Sequence, residues 1–150
     1  MSGIVVGVDG SPHAQMALEW ALNEAAIHGA ALTALAVVVE PVTAEPVGPV
    51  PIRAGKGEYD AARLAASEAV EKANAGRTTP VPVTVRVVGG VPADVLVNAG
   101  ADLLVVGSRG VGAFSRLFLG SVSTQVIHQA TCPVVVVPHR QAEDERTTES

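Results

Sequence analysis

The chain has 150 residues, a net charge of −5, 48% hydrophobic residues and only 3% aromatic ones. That length suits one domain with its own core, and the scarcity of aromatics means the core is built from Val, Ala and Leu. The acidic balance argues against general nucleic-acid or anionic-membrane binding, which both require a basic face.

The N-terminus shows no basic region followed by a long apolar stretch, and no apolar run reaches the roughly 18–20 residues of a membrane span. The expectation is a cytoplasmic protein. Cys132 is the single cysteine, so no intramolecular disulfide can form, and its setting "TCPVVVV" reads as a buried, inert thiol.

The first element is "GIVVGVDG". Its apolar run Ile4–Val8, ended by Asp-Gly, predicts a strand buried on both faces. Ser11 and Pro12 form an N-cap and first helical residue. Ala14, Ala17, Leu18, Ala21, Leu22 and Ala25 recur at helical spacing, so residues 12–28 predict an amphipathic helix stopped by Gly29. "ALTALAVVVE" is a second buried strand over 31–39. Pro41, Pro46, Pro49 and Pro51, with Gly48, Gly55 and Gly57, then predict a long irregular loop.

An alanine-rich helix follows over 58–75, with Glu68 and Lys72 spaced for an i,i+4 pair. "VPVTVRVVGG" is a strand near a sheet edge, because Thr84 and Arg86 alternate with apolar residues. "PADVLVNAG" is a short helix ended by Gly100, and "DLLVVG" is a strand. After a glycine-rich loop, Ser121 is expected to cap a helix over 122–130. "PVVVV" closes the set, and the polar residues 141–150 predict a disordered tail beyond a domain of 1–140. Strand and helix alternate throughout, which predicts an α/β fold: an open parallel sheet with helices on both faces.

In such sheets ligands bind beyond the carboxyl ends of the strands, where strand order reverses. Gly107 ends the fourth main strand, and Gly110 allows backbone N–H groups to approach an anion. Gly120 and Ser121 open a helix, whose N-terminus carries free donors and partial positive charge, and Ser123 adds a second hydroxyl. Together they describe a phosphate site. It is not a Walker A loop, for no Gly-Lys-Ser/Thr occurs, nor the dinucleotide GxGxxG, which would follow the first strand.

The spacing Gly-x2-Gly-x9-Gly-Ser at Gly107, Gly110, Gly120 and Ser121 resembles the ATP-binding motif of the universal stress protein family. "IVVGVDGS", "ADLLVVGSRG" and "GSVSTQVIHQATCPVVVV" resemble that family's first strand, fourth strand and closing helix and strand, so the likeness runs over residues 3–138. The resemblance implies a Rossmann-like five-stranded sheet of order 3-2-1-4-5, a homodimer, and ATP as ligand.

By the same resemblance, Asp9 stands near the ribose and phosphates, where a Mg²⁺ carried with ATP would meet it. Gly7 lines the nucleotide, the backbone of Val37 meets adenine, and Gly107 lies on the ribose side. Ser108, Arg109, Gly110, Val111, Gly112, Gly120, Ser121, Val122 and Ser123 hold phosphates. The family often has a histidine in its second strand, where this chain has Ala36.

His13, His28, His128 and His139 show no metal-ligand spacing and read as surface or helix residues. No nucleophile and base stand together in the sequence, so catalysis is not expected beyond slow ATP hydrolysis. The leading reading is an ATP-binding stress or regulatory protein. A slow ATP hydrolase, a cyclic-AMP binder and a nucleotide-free interaction protein are the alternatives. The homodimer is expected through Val134–Val137, an uninterrupted apolar strand at a sheet edge.

Overall fold

A computed structural model describes residues 3–40, 42–45, 48–51, 53–108 and 119–138. Arg109, Gly110, Val111 and Gly112, and the tail 141–150, lie outside the described residues.

Five strands form one sheet: β1 (Gly3–Val8), β2 (Ala31–Val39), β5 (Thr84–Gly90), β6 (Leu103–Gly107) and β7 (Val134–Val137). Their spatial order is β5-β2-β1-β6-β7, and every pairing is parallel. Counting these five alone, the order is 3-2-1-4-5, as the resemblance implied. The chain winds outward from β1 through β2 to β5, then returns to the other side of β1 at β6. The carboxyl ends of β1 and β6 therefore open the crevice of an open α/β sheet.

The continuous apolar strands are explained by their two faces. Ile4, Val6, Leu103 and Val105 face a layer made by α1 (Pro12–His28) and α2 (Lys56–Asn74). Val5, Leu104 and Val106 face a layer made by α3 (Pro92–Val97) and α4 (Ser121–Gln129). A strand covered on both sides has no reason to alternate. Cys132 is half-buried against the second layer.

Helix α1 follows its local signals at both ends. Ser11 Oγ accepts from the Ala14 amide at 3.1 Å, Pro12 is the first helical residue, and Gly29 caps the end at φ 62°. A side chain at Gly29 would be strained in that left-handed conformation. The buried stripe is mostly alanine, which lets the helix lie close on the sheet.

Helix α2 buries only Ala66 fully and carries its i,i+4 ion pair at Lys56 and Asp60, not at Glu68 and Lys72. Strand β5 is an edge, as its alternation predicted. The Asn74 side chain holds both the amide and the carbonyl of Val81 ahead of it. Gly100, at φ 76°, lies beyond the end of α3, which stops at Val97.

Two expectations need correction. The proline-rich stretch is not wholly irregular, for β3 (Val42–Glu45) and β4 (Gly48–Pro51) pair antiparallel. Both strands of a two-stranded sheet are edges, where proline is tolerated. Pro49 and Pro51 are two apart, so they share the phase whose N–H would point away from the partner strand. The cap of α4 is Gly120 rather than Ser121, which is already helical. Among the described residues no helix is long and apolar enough to cross a membrane.

Candidate functional site

The crevice is built where β1 and β6 end. After β1, Asp9 turns the chain: its Oδ1 accepts from the Ser11 amide at 2.9 Å, and Gly10 takes φ 82°. Asp9 is exposed, so the turn presents its carboxylate to solvent. The Ser11 cap then starts α1 with His13 facing inward.

Gly107 sits where β6 meets this first turn. A Cβ on Gly107 would lie 2.7 Å from the His13 carbonyl carbon and oxygen. The glycine is required by close approach of two backbones, not by a positive φ. Gly7 is different: its missing Cβ faces Leu96 of α3 at 3.2 Å, on the α3/α4 layer of the sheet.

Ser108 is the junction of the site. Its amide donates to the Val137 carbonyl at 3.0 Å, and its carbonyl accepts from the Gly120 amide at 2.8 Å. The Ser123 hydroxyl donates to the same carbonyl at 2.8 Å, and its Oγ also lies 3.2 Å from the Gly120 carbonyl. Ser123 is buried, and its proton serves the junction. These bonds draw the start of α4 to the end of β6.

Among the described residues no side chain caps α4, and its first backbone bond runs from Thr124 to Gly120. The amides of Ser121, Val122 and Ser123 are its first-turn donors, the kind that a helix start offers to an anion. Ser121 is exposed at this mouth, whereas the Val122 side chain packs into the second layer. Val37 lies on β2 beside Val88, partly exposed and one strand away from β1.

Two residues were missed by sequence reasoning. His13 is a helix residue, one of the two expectations, but it is buried, with Nδ1 3.1 Å from Ser108 Oγ. Its signal was its place, two residues after a helix cap at a strand's carboxyl end. Glu40, just past β2, is buried too. Its Oε2 accepts from the Ala54 amide at 2.8 Å and the Tyr59 hydroxyl at 2.9 Å. Gly89 lies beneath, and a Cβ there would overlap the Tyr59 hydroxyl and approach the Glu40 carboxylate at 2.5 Å. The carboxylate thus ties together the two ends of the segment carrying β3 and β4. An acid directly after Val37-Val38-Val39 was the available signal.

The Ala54 amide, then the Tyr59 hydroxyl, hold the Glu40 carboxyl below its ordinary value of 4.5; burial opposes them and Arg53 adds a smaller pull. The same hydrogen bond raises the Tyr59 phenol. A lowered folded-state value stabilises the fold above the ordinary pKa, and that stability is lost as pH falls through the lowered value. Wild type is therefore expected to exceed Glu40→Gln in urea midpoint at neutral pH, with the gap closing below pH 4.5. A gap that stays constant from neutral pH to pH 3.5, about one unit below the ordinary carboxylate value, would remove the clasp from the stability of this fold.

Among the described residues no group of three or more His, Cys, Asp or Glu could hold a metal ion. The family model described as the universal stress protein family matches residues 1–138. A universal stress protein of Mycolicibacterium smegmatis is 38% identical over 90% of this chain, which spans 47% of that relative's length. Among solved structures, the universal stress protein UspA from Lactobacillus plantarum has a TM-score of 0.70 and 27% identity, covering 91% of this chain and 97% of that one. A universal stress protein in complex with cAMP has a TM-score of 0.64 and 27% identity, covering 93% and 98%.

Proposed function

The chain belongs to the universal stress protein family, and from that premise we propose that its crevice binds ATP as a regulatory ligand. The observation that carries this reading is the Ser108 junction, which sets the uncapped start of α4 beside the end of β6. The motif spacing at Gly107, Gly110, Gly120 and Ser121 supports it.

In this reading the amides of Ser121, Val122 and Ser123, with Ser108 and the segment Arg109–Gly112, receive the phosphates. Asp9 takes the ribose side and any Mg²⁺ that ATP carries, and Val37 meets adenine. Gly107 and Gly7 act through packing. In this reading ATP serves as ligand and any hydrolysis is slow. Cyclic AMP is the second reading, supported by the structural relative in complex with cAMP.

Nucleotide released from the denatured, purified protein, together with calorimetric titration by ATP, ADP and cAMP with and without Mg²⁺, tests both readings. ATP is expected to bind most tightly, and Asp9→Ala to weaken it about tenfold with only a small fall in melting temperature, since the exposed carboxylate makes one charge-assisted contact to the ligand and one hydrogen bond to the Ser11 amide. Tighter binding of cAMP selects the second reading. Absence of any bound or titrating nucleotide rejects both.

We also propose a homodimer through β7. The Leu104 amide donates to Pro133 and the Ser108 amide to Val137, so the odd-numbered residues face β6. The backbone groups of Val134 and Val136 therefore point away from the sheet and suit a two-fold-related copy. Val136→Pro would delete one outward N–H and leave the inner ladder intact. Wild type is expected to run as a dimer by light scattering at micromolar concentration and Val136→Pro as a monomer. A wild-type monomer would reject this interface.

A further inference from the structure

We infer that His13 is a positioning residue for the phosphate site, aiming the Ser108 hydroxyl at a phosphoryl oxygen. This rests on the nucleotide reading of the same crevice. The two residues are 95 positions apart, and His13 Nδ1 lies 3.1 Å from Ser108 Oγ. His13 is 7% exposed, and its backbone lies against Gly107, so the root of the ring is held at the junction of α1 and β6.

The main chain of Ser108 is fixed on both sides, through Val137, Gly120 and Ser123. What remains free is the rotation of its hydroxyl. A ring with its proton on Nδ1 donates to Oγ, which turns the hydroxyl proton outward to an acceptor. The resulting chain runs from His13 N–H to Ser108 O–H to a phosphoryl oxygen, and each bond polarises the next. An anion at the start of α4 is the acceptor that such a chain fits.

The test compares ATP affinity in His13→Leu, His13→Asn, Ser108→Ala and the double variant His13→Leu/Ser108→Ala. An asparagine amide can donate near the position of Nδ1, and leucine cannot. His13→Leu and Ser108→Ala are each expected to weaken ATP about tenfold, the loss of one hydrogen bond to a charged group. The double variant should bind no more weakly than either single one, because both remove the same chain. His13→Asn should stay within about threefold of wild type. Additive losses, or unchanged affinity in His13→Leu, would overturn the inference.

Wild type that binds no adenine nucleotide would reject the nucleotide reading instead. In that case nitrogen NMR of the His13 ring in nucleotide-free protein decides. Nδ1 is expected to carry the ring proton in wild type, and its shift is expected to move in Ser108→Ala. An Nδ1 without the proton, or one that does not respond to Ser108→Ala, overturns the positioning role.

Discussion

Gly107→Ala is expected to lower stability and, on the ATP reading, to weaken nucleotide binding with it. Its new methyl would sit 2.7 Å from the His13 carbonyl carbon and oxygen and 2.9 Å from the His13 Cβ. These are backbone atoms and the root of a side chain, so no rotamer change relieves the overlap. Either α1 lifts from the sheet or β6 shifts, and both move Ser108. Overpacking of this kind costs about 1–3 kcal/mol, read as a lower urea midpoint at unchanged slope. ATP affinity should fall by more than tenfold, because the start of α4 hangs on the Ser108 carbonyl (about 1.4 kcal/mol per decade). Gly7→Ala is the control: its methyl would meet the flexible tip of Leu96 at 3.2 Å, and a small change is expected. If Gly107→Ala melts with wild type, the close approach of α1 and β6 does not hold the site.

Leu104→Ala should produce the largest loss of stability. Leu104 is 0% exposed at the centre of β6, in the layer that includes Leu35, Leu96 and Val126. Removing its side chain loses transfer energy and leaves a cavity, about 2–5 kcal/mol in sum. Domains of this size hold roughly 5–15 kcal/mol in total, so the variant is expected to unfold at much lower urea. A cost below about 1 kcal/mol would mean that the layer between sheet and α4 collapses to fill the gap. On the ATP reading, added ATP should restore part of the lost stability by mass action, wherever in the fold the substitution lies.

The elements legible in the sequence were those whose signals are local. Helix α1 was correct at both ends because Ser11, Pro12 and Gly29 each act on their own backbone. The strands were legible as apolar runs, and the sheet order came with the family likeness of their motifs. The hairpin β3–β4 was not, because prolines were weighed as a composition and their phase decides. The cap of α4 shifted by one residue because Gly120, with no side chain, leaves the helix open where a serine would have closed it. The glycines and hydroxyls that meet at the Ser108 junction were legible as a motif, though not the bond that turns the Ser123 hydroxyl onto the Ser108 carbonyl. The contact of His13 with Ser108 was not, since it joins residues 95 apart through a packing that only the sheet order creates.

The bond from the Gly120 amide to the Ser108 carbonyl fixes the two ends of the stretch 109–119 against each other. Changing the number of residues in that stretch adds little to the closure cost, about 0.6 kcal/mol for each doubling. Exchanging these residues between homologous chains is therefore expected to change ligand preference while the sheet and α4 stay in place. Divergence among proteins of this build can then proceed along that one stretch, with Gly107, Ser108, Gly120 and Ser123 kept.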